Sequence, residues 1–481
     1  MTASQTADLC DRAAYELVDL FRSRQASPVE ATKAALGRIA QYDSALNAFC
    51  LIAEDDALAS ARASEARWHK GEPLSPLDGV PTSIKDLLLT RGWPTLRGSR
   101  AVAADQPWTV DAPVTARLRE AGVVFLGKTT TPEFGCKGET NSPRTGITRN
   151  PWNPGRTSGG SSGGTAVAVA AGMGPLAIGT DGAGSIRIPA AFCGNFGLKP
   201  SFGRVPAFPM SPFGSVAHVG PHTMSVRDAA LLMTEITRPD ARDWTSLPPE
   251  HRDYTQDLEA GIAGLRVAWS PTLGYARNVD PEVAATCARA VARLQELGAH
   301  VDAVDPGFAD PLDITIGLWF LGSWTVWNTL TADQQALTDP DFAAQAALGS
   351  DFTTLDIQNL IARRGVLGAH MRDFMTRYDL LVTPSVAIPA FAARPPGTVP
   401  MNPETMLGWT PFSYPFNLTQ QPACSFPCGL TSDGLPIGLQ IVGPMFGDAL
   451  VLQAAYALER AMPILRPDLS RLNLSPTYGK E

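Results

Sequence analysis

Two serines and one lysine carry the chemistry this chain could do. Ser185 stands in "GTDGAGSIR", after a short apolar run and just ahead of residues that can start a helix. A serine hydroxyl attacks a carbonyl carbon once a base takes its proton. Gly182, Ala183 and Gly184 before it are small, so backbone can approach a substrate closely. Consecutive free amides at a helix start make an anion site, and such a site can hold a developing oxyanion. Ser185 has no histidine close by in sequence to serve as base. Lys85, inside the apolar segment from Thr82 to Leu89, could serve instead if desolvation keeps its amine neutral. The other serine, Ser161, lies 24 residues before Ser185 in "RTSGGSSGGTAVAVAAG". On residue types alone the plainer readings stay open: a lysine whose head reaches out to water, and glycine-rich serines that only turn the chain.

The elements around these residues must place them. A Gly/Ser run is often a flexible linker, but this one leads into Thr165 to Ala171, rich in Ala and ending at Gly172. That pattern predicts a short buried helix with a glycine at its end. Val123 to Leu126 and Leu176 to Ile178 read as buried strands, with a short helix near Ile188. Ser27, Pro28 and Glu30 predict a helix start in "SPVEATKAALGRIAQY". Residues from 240 to about 370 are more helical, and "DLLVTPS", "PIGLQIVGP" and a helix from Asp448 to Ala461 return to α/β character. Strands alternating with helices indicate an α/β fold.

Two motif matches fail on context. Gly122-(x4)-Gly127-Lys128-Thr129 spells a phosphate loop, but its Val-Val-Phe-Leu interior wants to be a strand. Gly159-Gly160-Ser161-Ser162-Gly163 spells the nucleophile elbow of α/β-hydrolases. An elbow follows a strand directly, whereas the prolines of "RNPWNPGRTS" exclude a central strand here.

Composition narrows the classes. The 481 residues are 44% hydrophobic and 18% charged, with no long polar linker and no internal repeat, so one large domain is expected over 1–481. The 43 glycines and 41 prolines imply many ordered turns. A net charge of −8 without a basic stripe argues against a nucleic-acid partner. "MTASQTADLCDRAAYELVDLF" lacks the apolar core of a signal peptide, and no run approaches a membrane span. The seven scattered cysteines fit reduced thiols in a cytoplasmic protein, without a zinc site.

The segment "GGSSGGTAVAVAAGMGPLAIGTDGAGSIRIPAAFCGNFGLKP", with "LDGVPTSIKDLL", "LGKTTTPEFG", "TRNPWNPGRTSGGSSGG" and "PIGLQIVGP", resembles the amidase signature family. The resemblance covers most of the chain and leaves only about 240–370 without a clear match. It implies an α/β fold with a central mixed β-sheet flanked by helices, a signature core over about 75–235, and a variable substrate-pocket region over about 240–370. It places Ser185 on the family's nucleophile, Ser161 on the bridging serine that sits on a cis peptide bond, and Lys85 on the catalytic lysine. Gly182, Ala183, Gly184 and Ser185 fall on the oxyanion amides. The family usually has two glycines before the nucleophile; Ala183 replaces the first, and only its amide is needed. Asp181 and Arg187 flank the loop, as scaffold charges or as an ion pair. Ile188 stands where glutamine-dependent amidotransferase subunits tend to carry glutamine.

The implied activity is cleavage of linear amides through an acyl-enzyme, with carbamates (a urethanase activity) and esters chemically close. No metal or organic cofactor is expected. The expected partner is a small-molecule amide or carbamate, with no nucleic acid and no membrane, and the chain a monomer or homodimer. The alternatives are a glutamine-hydrolysing subunit of a tRNA-dependent amidotransferase and a non-catalytic subunit on the same fold. Trp319, Trp324, Trp327 and Trp409 offer aromatic surface that fits either core packing or an apolar substrate pocket.

Overall fold

The computed structural model describes residues 9–398 and 402–472. The first residues of the N-terminal stretch read above as no leader lie outside them. Among the described residues thirteen strands follow one another: β1 Phe49–Ile52, β2 Pro81–Lys85, β3 Val124–Thr129, β4 Asn141–Ser142, β5 Gly146–Ile147, β6 Leu176–Asp181, β7 Phe196–Lys199, β8 His218–Thr223, β9 Arg266–Trp269, β10 His300–Ala303, β11 Leu380–Pro384, β12 Ala423–Leu430 and β13 Pro436–Val442. Eleven of them form one sheet in the order β1-β3-β2-β6-β8-β7-β12-β13-β11-β9-β10, and β4 pairs with β5 apart from it. The sheet is mixed: β3, β2 and β6 are parallel, as are β11, β9 and β10, while the strands between them pair antiparallel. Helices cover it, giving the expected α/β architecture.

Local chemistry explains the elements that position the site. Ser27 Oγ accepts from the Glu30 amide and the Glu30 carboxylate accepts from the Ser27 amide, closing a capping box at the start of helix Pro28–Leu46. The Gly-x4-Gly-Lys-Thr stretch lies in β3, as its apolar interior demands. Lys128 points into the core and donates to the Leu88 carbonyl (2.7 Å) and Thr95 Oγ1 (2.8 Å). The Gly/Ser run is fully buried and leads into helix Gly163–Ala170, every residue of which is buried. Gly172 follows in the left-handed conformation (φ 68°) that helix ends favour. Gly164 is required by close approach: a Cβ there would stand 2.5 Å from the Ala48 carbonyl oxygen.

Between 240 and 370 the chain is largely helical, with helices Pro281–Glu296, Leu312–Trp327, Pro340–Gly349 and Thr354–Phe374. It also supplies β9 and β10, two short strands with no strong alternation to announce them. Among the described residues no helix is long and apolar enough to cross a membrane.

Gly164→Ala should lower stability by about 1–3 kcal/mol, because backbone rather than a flexible side chain blocks the new methyl. A denaturant-unfolding midpoint unchanged from the parent would show that the helix start has room to move.

Candidate active site

The parallel strands β2 and β6 pair in register, Ile84 opposite Ile178, so their C-terminal ends reach the same edge of the sheet. Lys85 closes β2, and Thr180 and Asp181 close β6. Open α/β sheets place ligand sites beyond such strand ends. The Gly159–Ser162 turn folds over this edge, with the Gly160–Ser161 peptide bond cis.

Lys85 is fully buried. Its Nζ lies 2.7 Å from Ser161 Oγ, 2.9 Å from Ser162 Oγ and 2.9 Å from Thr180 Oγ1. No carboxylate comes within ion-pair distance of it among the described residues. Burial therefore pushes its pKa well below the usual lysine range, partly opposed by the charge of Asp181. The hydrogen bonds order this cluster. Ser162 Oγ donates to the Thr180 carbonyl (3.0 Å) and accepts from the Thr180 amide (3.2 Å), so toward Lys85 it can only accept. A neutral amine keeps one lone pair, and Ser161, whose hydroxyl has no competing acceptor, can donate to it.

Ser185 follows β6 and precedes helix Arg187–Cys193. Its residue is 6% exposed, at the floor of a cavity, and its carbonyl accepts from the Ser162 amide (3.1 Å). No hydrogen bond joins the Ser161 and Ser185 hydroxyls in this state, though both face the same cavity. Such contacts often close only once substrate is bound.

Asp181 and Arg187 prove to be a buried, two-pronged ion pair. Arg187 Nε reaches Asp181 Oδ2 and Nη2 reaches Oδ1, each at 3.0 Å. Arg187 also donates to Gln440 Oε1 (2.7 Å), Asn417 Oδ1 (2.6 Å) and the Ser413 carbonyl (2.8 Å). The guanidinium holds the Asp181 carboxyl well below the usual carboxylate range despite its burial. Asp181 in turn fixes the Ser185 loop, accepting from the Gly184 amide (2.7 Å) and the Ile186 amide (3.1 Å). This corrects one expectation. The Gly184 amide is taken by Asp181 and is not available as an oxyanion donor. The amides of Gly182, Ala183 and Ser185 have no partner within the described fold. Gly184 instead makes the turn possible, at φ 125° and with no room for a side chain against Ser413.

The cavity above Ser161 and Ser185 measures about 160 Å³ and is mostly apolar, with walls that include Leu88, Phe134, Phe213 and Trp319. Trp319 donates from Nε1 to the Cys136 carbonyl (2.8 Å) and stacks on Phe213 at 4.0 Å. The other three tryptophans do not line this cavity. Trp324 sits about 140° around the same helix from Trp319, and Trp327 lies about 12 Å further along it. Trp327 packs on Phe342 (6.3 Å) and Trp409 between Phe192 (5.7 Å) and Phe391 (5.1 Å), both against the core. Ser162, Thr180, Asn417 and Gln440 escaped the sequence reading. The last two lie more than two hundred residues from Arg187 and carried no local signal. His218 also lines the cavity, but burial lowers its pKa well below the usual histidine range, and its Nδ1 faces the Val216 carbonyl (2.8 Å). Among the described residues no cluster of His, Cys, Asp and Glu is arranged to hold a metal.

The profile of the family described as Amidase matches residues 30–452. An acylamidase of Rhodococcus erythropolis is 38% identical over 457 residues, 94% of this chain and 95% of that protein. A glutamyl-tRNA(Gln) amidotransferase subunit of Chloroflexus aggregans (strain MD-66 / DSM 9485) is 37% identical over 92% of this chain and 95% of that protein. The crystal structure of a bacterial aryl acylamidase of the amidase signature family superposes with a TM-score of 0.87 at 33% identity, covering 94% of this chain and 96% of that one. The chain belongs to the amidase family, the amidase signature enzymes.

Asp181→Asn should cost roughly 3–5 kcal/mol of stability, because it leaves the Arg187 cation buried without its counter-charge. Urea unfolding measures this, and a loss under about 1 kcal/mol would mean that Gln440 and Asn417 suffice.

Proposed function

We propose that this chain hydrolyses amides of small apolar or aromatic groups through an acyl-enzyme on Ser185. The observation that carries the reading is the Lys85 amine, desolvated, without a carboxylate partner and 2.7 Å from Ser161. Neutral Lys85 takes the Ser161 proton as Ser161 takes that of Ser185. Ser185 Oγ attacks the carbonyl carbon, and the amides of Gly182, Ala183 and Ser185 receive the developing oxyanion. The proton returns along the same relay to the leaving nitrogen, which departs poorly unless protonated. Water then enters, loses its proton to the relay and releases the acid. The cavity supports an aryl or short alkyl substituent: an apolar cavity of ~150 Å³ is large enough to admit benzene. A carbamate presents the same electrophile and is a second substrate class for the same machinery.

Glutamine hydrolysis is the competing reading, supported by relatives named as amidotransferase subunits. Against it stands the apolar surface beside the nucleophile, where Ile188 is buried among Phe192 and Val386. Incubating the purified protein with p-nitroacetanilide, glutamine and an aryl carbamate separates the readings. Release of p-nitroaniline is expected, and ammonia from glutamine alone would overturn the proposal. Ser185→Ala should lower anilide turnover by at least ~10³-fold with the fold retained, as judged by circular dichroism. Activity within tenfold of the parent would move the nucleophile elsewhere.

Lys85→Ala should damage amide hydrolysis more than ester hydrolysis, since an ester leaving group needs less help from a returned proton. The parent's kcat/KM should rise with pH, because the neutral amine is the active form and its fraction grows as pH passes its pKa. Burial sets that limb below the ordinary lysine value near 10.5. Residual ester hydrolysis by Lys85→Ala should lose the limb. Equal losses on a matched amide and ester, or a limb that survives the substitution, would remove Lys85 from the relay.

A further inference from the structure

The cavity wall contains one arginine, Arg97, and no lysine. The two carboxylates in the same wall are already engaged. Asp181 is paired with Arg187, and Asp243 accepts from the Ala207 amide (2.8 Å), the Thr245 amide (2.8 Å) and the Thr245 hydroxyl (2.6 Å). The Arg97 guanidinium makes no hydrogen bond and no ion pair among the described residues. Its pKa is lowered by burial, opposed only by the charge of Asp86. That carboxylate is itself occupied: it accepts from the Leu96 amide (3.2 Å) and the Gly98 amide (3.3 Å) and lies 3.6 Å from Lys128 Nζ.

The backbone clamps Arg97 in place. It has φ 56°, a conformation uncommon for a residue other than glycine, asparagine or aspartate. Its carbonyl accepts from the amide of Phe134 (2.8 Å), itself a cavity residue, and its two neighbours are held by Asp86. These bonds fix the point from which the half-buried Arg97 side chain enters the cavity wall, and its guanidinium reaches the cavity without a hydrogen-bond partner among the described residues. A planar guanidinium matches a carboxylate with two parallel hydrogen bonds.

We propose that Arg97 is a specificity residue that binds a carboxylate on the substrate, so that the cavity selects aryl or short-chain amides carrying an acid group. The inference rests on the amide-hydrolysis reading for the reaction, but not for the binding. The site then combines an apolar slot the size of one ring with one anion-binding fork in its wall, and a neutral anilide fills only the first.

Two measurements test it. Benzoate and benzamide are titrated calorimetrically into the Ser185→Ala protein, with and without Arg97→Gln. Benzoate should bind about tenfold or more tighter than benzamide, and Arg97→Gln should abolish that preference. In the active enzyme, the ratio of kcat/KM for 4-acetamidobenzoate over acetanilide should fall about 10–100-fold in Arg97→Gln. Arg97→Lys should recover part of it, having charge without the fork. No preference for benzoate, or a preference that survives Arg97→Gln and Arg97→Lys unchanged, overturns the proposal. If the parent cleaves neither anilide, the amide-hydrolysis reading fails, and the calorimetric result still decides the role of Arg97.

Discussion

The desolvated amine of Lys85 is the constraint on which the rest of this structure depends. Removing an ammonium from water costs several kcal/mol unless a counter-charge or a proton loss relieves it. Here three hydroxyls surround the amine and no carboxylate among the described residues pairs with it. The charge that opposes this desolvation is that of Asp181, which favours the protonated lysine. Arg187 takes both oxygens of that carboxylate, and its own positive charge weakens the pull of Asp181 on the lysine. The ion pair therefore acts at two levels. It fixes the Ser185 loop through the Gly184 and Ile186 amides, and it reduces the field that would otherwise charge Lys85.

The sheet makes this arrangement reproducible. Lys85 and Thr180 are 95 residues apart but end neighbouring parallel strands, so strand register alone sets them side by side. Ser162 ties the third segment to both, bonding Thr180 by its hydroxyl and the Ser185 carbonyl by its amide. Lys85, Ser162 and Thr180 thus come together from three different elements, and the glycines around Ser161 and Ser162 let this turn pack closely on the Glu139 and Ala48 backbone. Polar groups this deeply buried need every partner in place, and the cluster about Lys85 satisfies its members with hydroxyls and carbonyls rather than charge.

The sequence showed these parts unequally. The helix from Asp448 to Ala461, the capping box at Ser27 and the buried helix after the Gly/Ser run are local patterns, and the structure has all three. Strand β3 defeats its phosphate-loop spelling for the reason visible in its apolar interior. β9 and β10 are four residues each and join the far edge of the sheet through tertiary pairing, which no local period records. Of the four tryptophans, only Trp319 reaches the cavity, because helix phase and end position decide exposure, and composition cannot. The Gly184 amide donates to the Asp181 carboxylate three residues earlier; their closeness in sequence is readable, but the fold of the loop that pairs them is not.

The proposed chemistry and the proposed selectivity occupy different parts of the chain. The residues of the proposed relay lie between Lys85 and Ser185, on a strand end and in the buried turns before two helices, where a shift of one methylene is felt. The cavity walls come from the turn carrying Arg97, the loop preceding β8, and helix Leu312–Trp327. Loops accept substitution at little cost to the core. Relatives at 37–38% identity can therefore share a fold while carrying names as different as acylamidase and amidotransferase subunit. In such a family the reacting atoms are poor guides to the substrate. The guides are the groups that the walls leave without partners, because a fold that buries a donor or a charge without satisfying it has left that task to the ligand.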